Sequence, residues 1–141
     1  MTFAGINHLA VLVAAAVALV ASTAWYSFLG NFAAPPLGAT PEQTAKVGKS
    51  TGAFLPNVTA VVGYLIIAFT LAGLLGHLGP GQVTPANGIL SGAFVWFGFV
   101  LTTMTVNYSF SGRSWRRLVI HAGSWLIVLV VIGAVIGAFG V

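Results

Sequence analysis

Three histidines, one acidic side chain and no cysteine are the only residues from which this chain could build a metal centre or an acid–base pair. His8 and His77 could ligate a metal or a haem iron, or one of them could hold the magnesium of a tetrapyrrole. No Cys, Asp or Glu joins them, and an imidazole at a membrane surface can simply meet water, so no metal and no cofactor are expected. The sole carboxylate side chain, Glu42, lies in a loop. Proton relays, cation-coupled transport and carboxylate-bridged metals usually rely on buried Asp or Glu, so these functions are not expected. A Ser-His-carboxylate triad is excluded inside the membrane for the same reason, and no GxSxG stretch is present. The chain is not expected to be an enzyme.

The remaining polar side chains fall into two layers. One comprises Tyr26, Asn57, Asn107, Tyr108, His121 and Ser124, with Trp25 and Trp125 beside them, and is the candidate binding layer. The other comprises Asn7, His8, His77 and Asn87. Between the layers stand mainly Thr70, Thr102 and Thr103, whose hydroxyls can bond to their own helix backbone. Asn107 lies four residues before Ser111, and His121 four residues after Arg117. At 1.5 Å per residue both are about 6 Å inside their helices, which predicts a hydrogen bond between them, directly or through Tyr108 or Ser124.

The elements that hold these residues are set by composition. With 58% hydrophobic and 4% charged residues and a mean hydropathy of +1.03, the chain departs far from a soluble domain, of which roughly a quarter is charged. A span needs roughly 20 apolar residues, and four of them plus loops account for the 141 residues. The expectation is an all-α integral membrane protein, a single four-transmembrane-helix bundle over 1–141. Its spans are expected near 6–29, 56–78, 85–110 and 115–139. The first span is too long, and too poor in leading positive charge, for a cleaved signal peptide.

Small residues recur at four-residue spacing in every span, as close backbone approach requires. They are Ala10, Ala14, Ala18 and Ser22 in the first, Ala68, Ala72 and Gly76 in the second, Gly88 and Gly92 in the third, and Gly133 and Gly137 in the fourth. Thr84 followed by Pro85 is a helix start. In the long first loop, Thr40 with Gln43 has capping-box spacing, Pro41 suits a first helical position and Gly48 a stop, predicting a short cytoplasmic loop helix.

All five basic side chains lie in two loops, Lys46 and Lys49 in the first and Arg113, Arg116 and Arg117 in the third. Short loops rich in Lys and Arg stay cytoplasmic, so the expected location is a cell (inner) membrane, multi-pass, with both termini outside the cytoplasm. The same five residues are candidates for lipid-headgroup contact. Placing arginines at the start of the fourth helix opposes its dipole at a cost of roughly 0.3–1 kcal/mol, which orientation or headgroup contact outweighs. Since topology accounts for the +4 charge, nucleic acid is not expected as a partner.

Tyr26-Ser27-Phe28 with Gly30 recurs as Tyr108-Ser109-Phe110 with Gly112, and Gly63 and Gly73 are spaced like Gly123 and Gly133. Two tandem helical hairpins, or chance in a narrow alphabet, would produce this pattern. Ile6-Asn7 with the following LAVLVAA, Trp25-Tyr26-Ser27, the TTM at 102–104, Asn107-Tyr108 and Gly112-Arg113-Ser114-Trp115 together resemble the bacterial domain-of-unknown-function family 1761 of small four-span membrane proteins. That family usually continues Trp-Tyr-Ser with proline and a basic, aromatic segment, where this chain has Phe28, Leu29, Gly30 and Asn31. The resemblance implies a small bacterial membrane bundle and brings no established activity with it.

Three functional readings are compatible with these residues. The first is a structural or accessory role, packing against a partner protein, pigment or lipid, as a homo-oligomer or within a larger membrane complex. The second is a small permease or channel for a neutral or anionic solute, and the third a His-ligated cofactor carrier.

Overall fold

The computed structural model describes residues 5–29 and 54–140. The loop carrying Glu42, Lys46 and Lys49, with its expected helix, lies outside them. Every described element is helical: α1 (His8–Leu29), α2 (Phe54–Gly76), α3 (Pro85–Val95), a π-helical segment (Trp96–Leu101), α4 (Thr102–Ser111) and α5 (Trp115–Phe139). The elements from α3 to α4 form one third span, Pro85–Ser111, so four helices are long and apolar enough to cross a membrane. The protein is a four-transmembrane-helix bundle.

The helix ends obey local chemistry. Asn7 opens α1, its side-chain Oδ1 accepting from the Ala10 amide at 3.1 Å. Thr84 caps α3, accepting from the Asn87 amide at 3.2 Å, and Pro85 takes the first position, where its missing N–H costs nothing. Gly112, at φ +63°, ends α4 in the left-handed conformation that glycine reaches without a Cβ penalty. Only residues 112–114 separate α4 from α5.

The bundle is built around α5, which packs against each of the other spans, while among the described residues α1 and the third span do not pack together. The α3–α5 seam is the closest. A Cβ on Gly88 would fall into the Gly133 carbonyl and one on Gly133 into the Gly88 carbonyl, while Gly92 and Gly137 face the carbonyls of Leu129 and Thr84 in the same way. Both glycine pairs expected from the sequence therefore meet in one antiparallel interface, backbone on backbone. On the other side of α5, Ala10, Ala14, Ala18 and Ser22 of α1 are all buried, as are Ala68 and Ala72 of α2. Leu71, Leu75, Val128, Ile132 and Ile136 fill the centre at 0–2% exposure.

The third span changes character along its length. Gly88 and Gly92 are buried in α3, whereas no residue of the π-helical segment or of α4 is buried. The π turn is local: the Thr102 hydroxyl donates to the Phe97 carbonyl, five residues back, at 2.9 Å. At its start the Trp96 indole donates to the Ala122 carbonyl of α5 at 2.7 Å. The two hairpins expected as a repeat are not matched in packing. A Cβ on Gly63 would meet nothing within 4 Å, while one on its counterpart Gly123 would lie 2.8 Å from Cζ2 of Trp25.

Candidate functional site

Three of the six residues in the candidate binding layer come together where α1 ends and α5 begins. The absence of a side chain at Gly123 lets the Trp25 ring lie close on α5, and its indole N–H donates to the Ile120 carbonyl at 3.0 Å. This contact positions the next residue, Tyr26. Tyr26 Oη and His121 Nδ1 stand 2.9 Å apart. With the ring protonated at Nε2 the hydroxyl donates, and with the other tautomer it accepts. Ser124, 4% exposed, also offers its hydroxyl to Tyr26. His121 stands one turn of α5 beyond Arg117, and Arg113 and Arg117 both act on it electrostatically.

The expected hydrogen bond between Asn107 and His121 is not formed. Asn107 is exposed on α4, and His121 turns to α1 instead. Equal depth put the two at one level but did not fix their directions around the helices. Asn57 is also exposed, at the start of α2. The Arg113 guanidinium stacks over the Tyr108 ring, 5.7 Å from the centroid.

Sequence reasoning missed Tyr64. It is 8% exposed and meets Trp125 edge to face, with ring centroids 5.9 Å apart. The signal was available: Tyr64 stands one four-residue step before Ala68 and Ala72, the single bulky member of a buried stripe.

At the opposite end, the polar groups serve the helix ends. The Asn87 amide donates to the Gln82 carbonyl at 2.7 Å and to its side-chain oxygen at 3.2 Å. His77 Nδ1 lies 2.7 Å from the Gly73 carbonyl of its own helix, and His8 is exposed at the start of α1. Among the described residues no three His, Cys, Asp or Glu side chains are grouped as a metal site would require. Thr70 donates to the Ile66 carbonyl at 2.8 Å, the backbone bond expected of a mid-membrane hydroxyl. No buried side-chain nitrogen or oxygen lacks a hydrogen bond among the described residues.

Beside this cluster, α2 and the third span diverge and leave an apolar cleft. One hollow of about 430 Å³ is lined by Ile67, Leu71 and Leu74 of α2, Phe99 and Met104 of the third span, and Trp125 and Leu129 of α5. A second of about 570 Å³ runs along α2 past Thr59, Gly63 and Tyr64, and also ends on Trp125. A packed helical membrane bundle with a polar cluster at its arginine end and an apolar cleft beside it is the class of protein that fold and site define. The chain belongs to the family described as "Protein of unknown function (DUF1761)", whose model matches residues 9–137. No curated protein and no solved structure matches it.

Proposed function

We propose that the chain is a structural or accessory protein of a bacterial inner membrane, holding an apolar or amphipathic partner against its open third-span side. The observation that supports this reading is the asymmetry of the bundle. Three spans bury a continuous small-residue and aliphatic core, while the third span, from Trp96 to Ser111, has no fully buried residue, only Trp96 and Val100 packing partly against the core, and borders a cleft. A permease would draw on the Tyr26–His121–Ser124 cluster as its vestibule. Beyond that cluster, however, Val128, Leu71, Leu75 and Ile132 close the helix interior. A His-ligated carrier would draw on His8 and His77, and both stand exposed at helix ends rather than inside the bundle.

The test is to purify the whole chain in mild detergent and identify what comes with it. Recovery of a stoichiometric lipid, pigment or membrane protein supports the accessory role. A bare chain that carries anions or neutral solutes across liposomes overturns it in favour of the permease. The distribution of the five basic residues favours both termini outside the cytoplasm. Tags at the two ends should therefore be accessible in intact cells, and changing Arg113, Arg116 and Arg117 to Glu should give mixed orientation; cytoplasmic labelling of either native end would refute the assignment.

A further inference from the structure

We propose that the cleft between α2 and the third span holds one acyl chain of an anionic glycerophospholipid whose phosphate rests at Arg113 and Arg117. The inference rests on the accessory reading above and names the chemistry of its partner. Val100, Met104 and Tyr108 succeed one another at four-residue intervals, so they form one lane along the third span. Val100 and Met104 line the cleft, and Arg113 stacks over Tyr108. The lane thus passes from apolar to cationic within one further turn.

On α5 the order repeats. Arg117, His121, Trp125 and Leu129 stand at the same interval, and Trp125 and Leu129 form the cleft floor. Arg117 thus stands two four-residue steps from the cleft floor at Trp125, as Arg113 stands beside Tyr108, one such step from Met104. The cleft wall on the third span runs from Met104 back to Val95, nine residues or about 14 Å at 1.5 Å per residue. Measured from Arg113, the near end of that wall, Met104, is nine residues or about 14 Å away and the far end, Val95, eighteen residues or about 27 Å, in a hydrocarbon core of about 30 Å. A chain anchored at the arginine level therefore enters the hollow at Met104 and must be extended to run along it past the midplane.

Charge decides the headgroup. The chain carries five basic side chains and one acidic one, and three of the basic ones lie in or just after the link that joins the third span to α5. A second copy would bring the same cations to the same end, and a zwitterionic headgroup would set its own cation beside the arginines. An anionic phosphate meets no such repulsion.

The experiment is native mass spectrometry of the whole chain, delipidated and then offered phosphatidylglycerol or phosphatidylcholine in equal amounts. Expected is one retained phosphatidylglycerol per chain, with at least tenfold less phosphatidylcholine. Arg113→Gln with Arg117→Gln should remove that preference. Thr70→Trp with Thr103→Trp, two exposed positions on facing cleft walls, should abolish retention while leaving the circular-dichroism melting temperature within a few degrees. Equal retention of both lipids, unchanged retention in either double variant, or a dimer that shields the cleft from lipid would overturn the proposal. A pigment or protein recovered in place of lipid would overturn this inference and leave the accessory role standing. An empty chain active in solute flux would remove both.

Discussion

The two halves of the third span face the same helix and meet it in opposite ways. From Pro85 to Val95, glycines bring its backbone against that of α5 until no Cβ would fit between them. From Trp96 to Ser111 it carries five of its six aromatic rings, and Phe97, Phe99 and Phe110 are all exposed. Apolarity alone therefore does not dock a helix in a membrane, because lipid tails are as apolar as leucine. What docks it is the chance to make dispersion contacts at short range, and glycine provides that by having nothing in the way. The aromatic half has no such faces and leaves room beside it.

The sharpest break of this contrast is Gly88→Leu or Gly133→Leu set against Gly98→Leu, in whose neighbourhood nothing lies within 4 Å of a Cβ. The first two should cost at or above the ~1–3 kcal/mol of ordinary overpacking, because backbone rather than a movable side chain stands in the way. Gly92→Leu and Gly137→Leu should come next, and Gly98→Leu should be close to neutral. Unfolding in mixed detergent micelles measures all five, and equal tolerance at Gly88 and Gly98 would erase the distinction between the halves. Smaller again is Trp96→Phe at the junction, which removes the indole bond to Ala122 and should cost about 0.5–1.5 kcal/mol in the same assay.

Much of the tight half could be read from residue types. The GxxxG spacings, the Thr84-Pro85 start and the small stripes of α1 and α2 all report on contacts within a turn or two, where a 3.6-residue period holds. The open half could not be read that way. Nothing in WFGFVL announces a π turn, and each residue it inserts rotates the remainder of the span by about 100° relative to an unbroken helix. Asn107 lies beyond that turn. Its depth was legible and its direction was not, so the bond assigned to it goes to Tyr26, on a helix whose register is unbroken.

That replacement sharpens the comparison, because at its arginine end the side-chain hydrogen bonds that reach α5 come from α1 and not from the neighbouring α4. A double-mutant cycle of Tyr26→Phe with His121→Ala should show coupling near the ~0.6 kcal/mol average for hydrogen bonds in membranes. The same cycle with Asn107→Ala in place of Tyr26→Phe should show none, and measurable coupling there would return α4 to the interface. The smallest effect expected is that of Phe97→Ala, 65% exposed, within about 0.5 kcal/mol of the parent. A larger loss in detergent would mean that this ring is covered.

The short link at residues 112–114 gives the third span a mechanical character. Its two ends are both tied to α5, one by the glycine seam and the other by three residues of chain. A rod fastened at both ends cannot swing outward as a gate does; it can only bow. The displacement available at Phe99 and Met104 is then a fraction of a helix diameter, which is about 10 Å. The cleft can adjust to the thickness of a slender chain, but it cannot admit another helix without tearing one of the two fastenings.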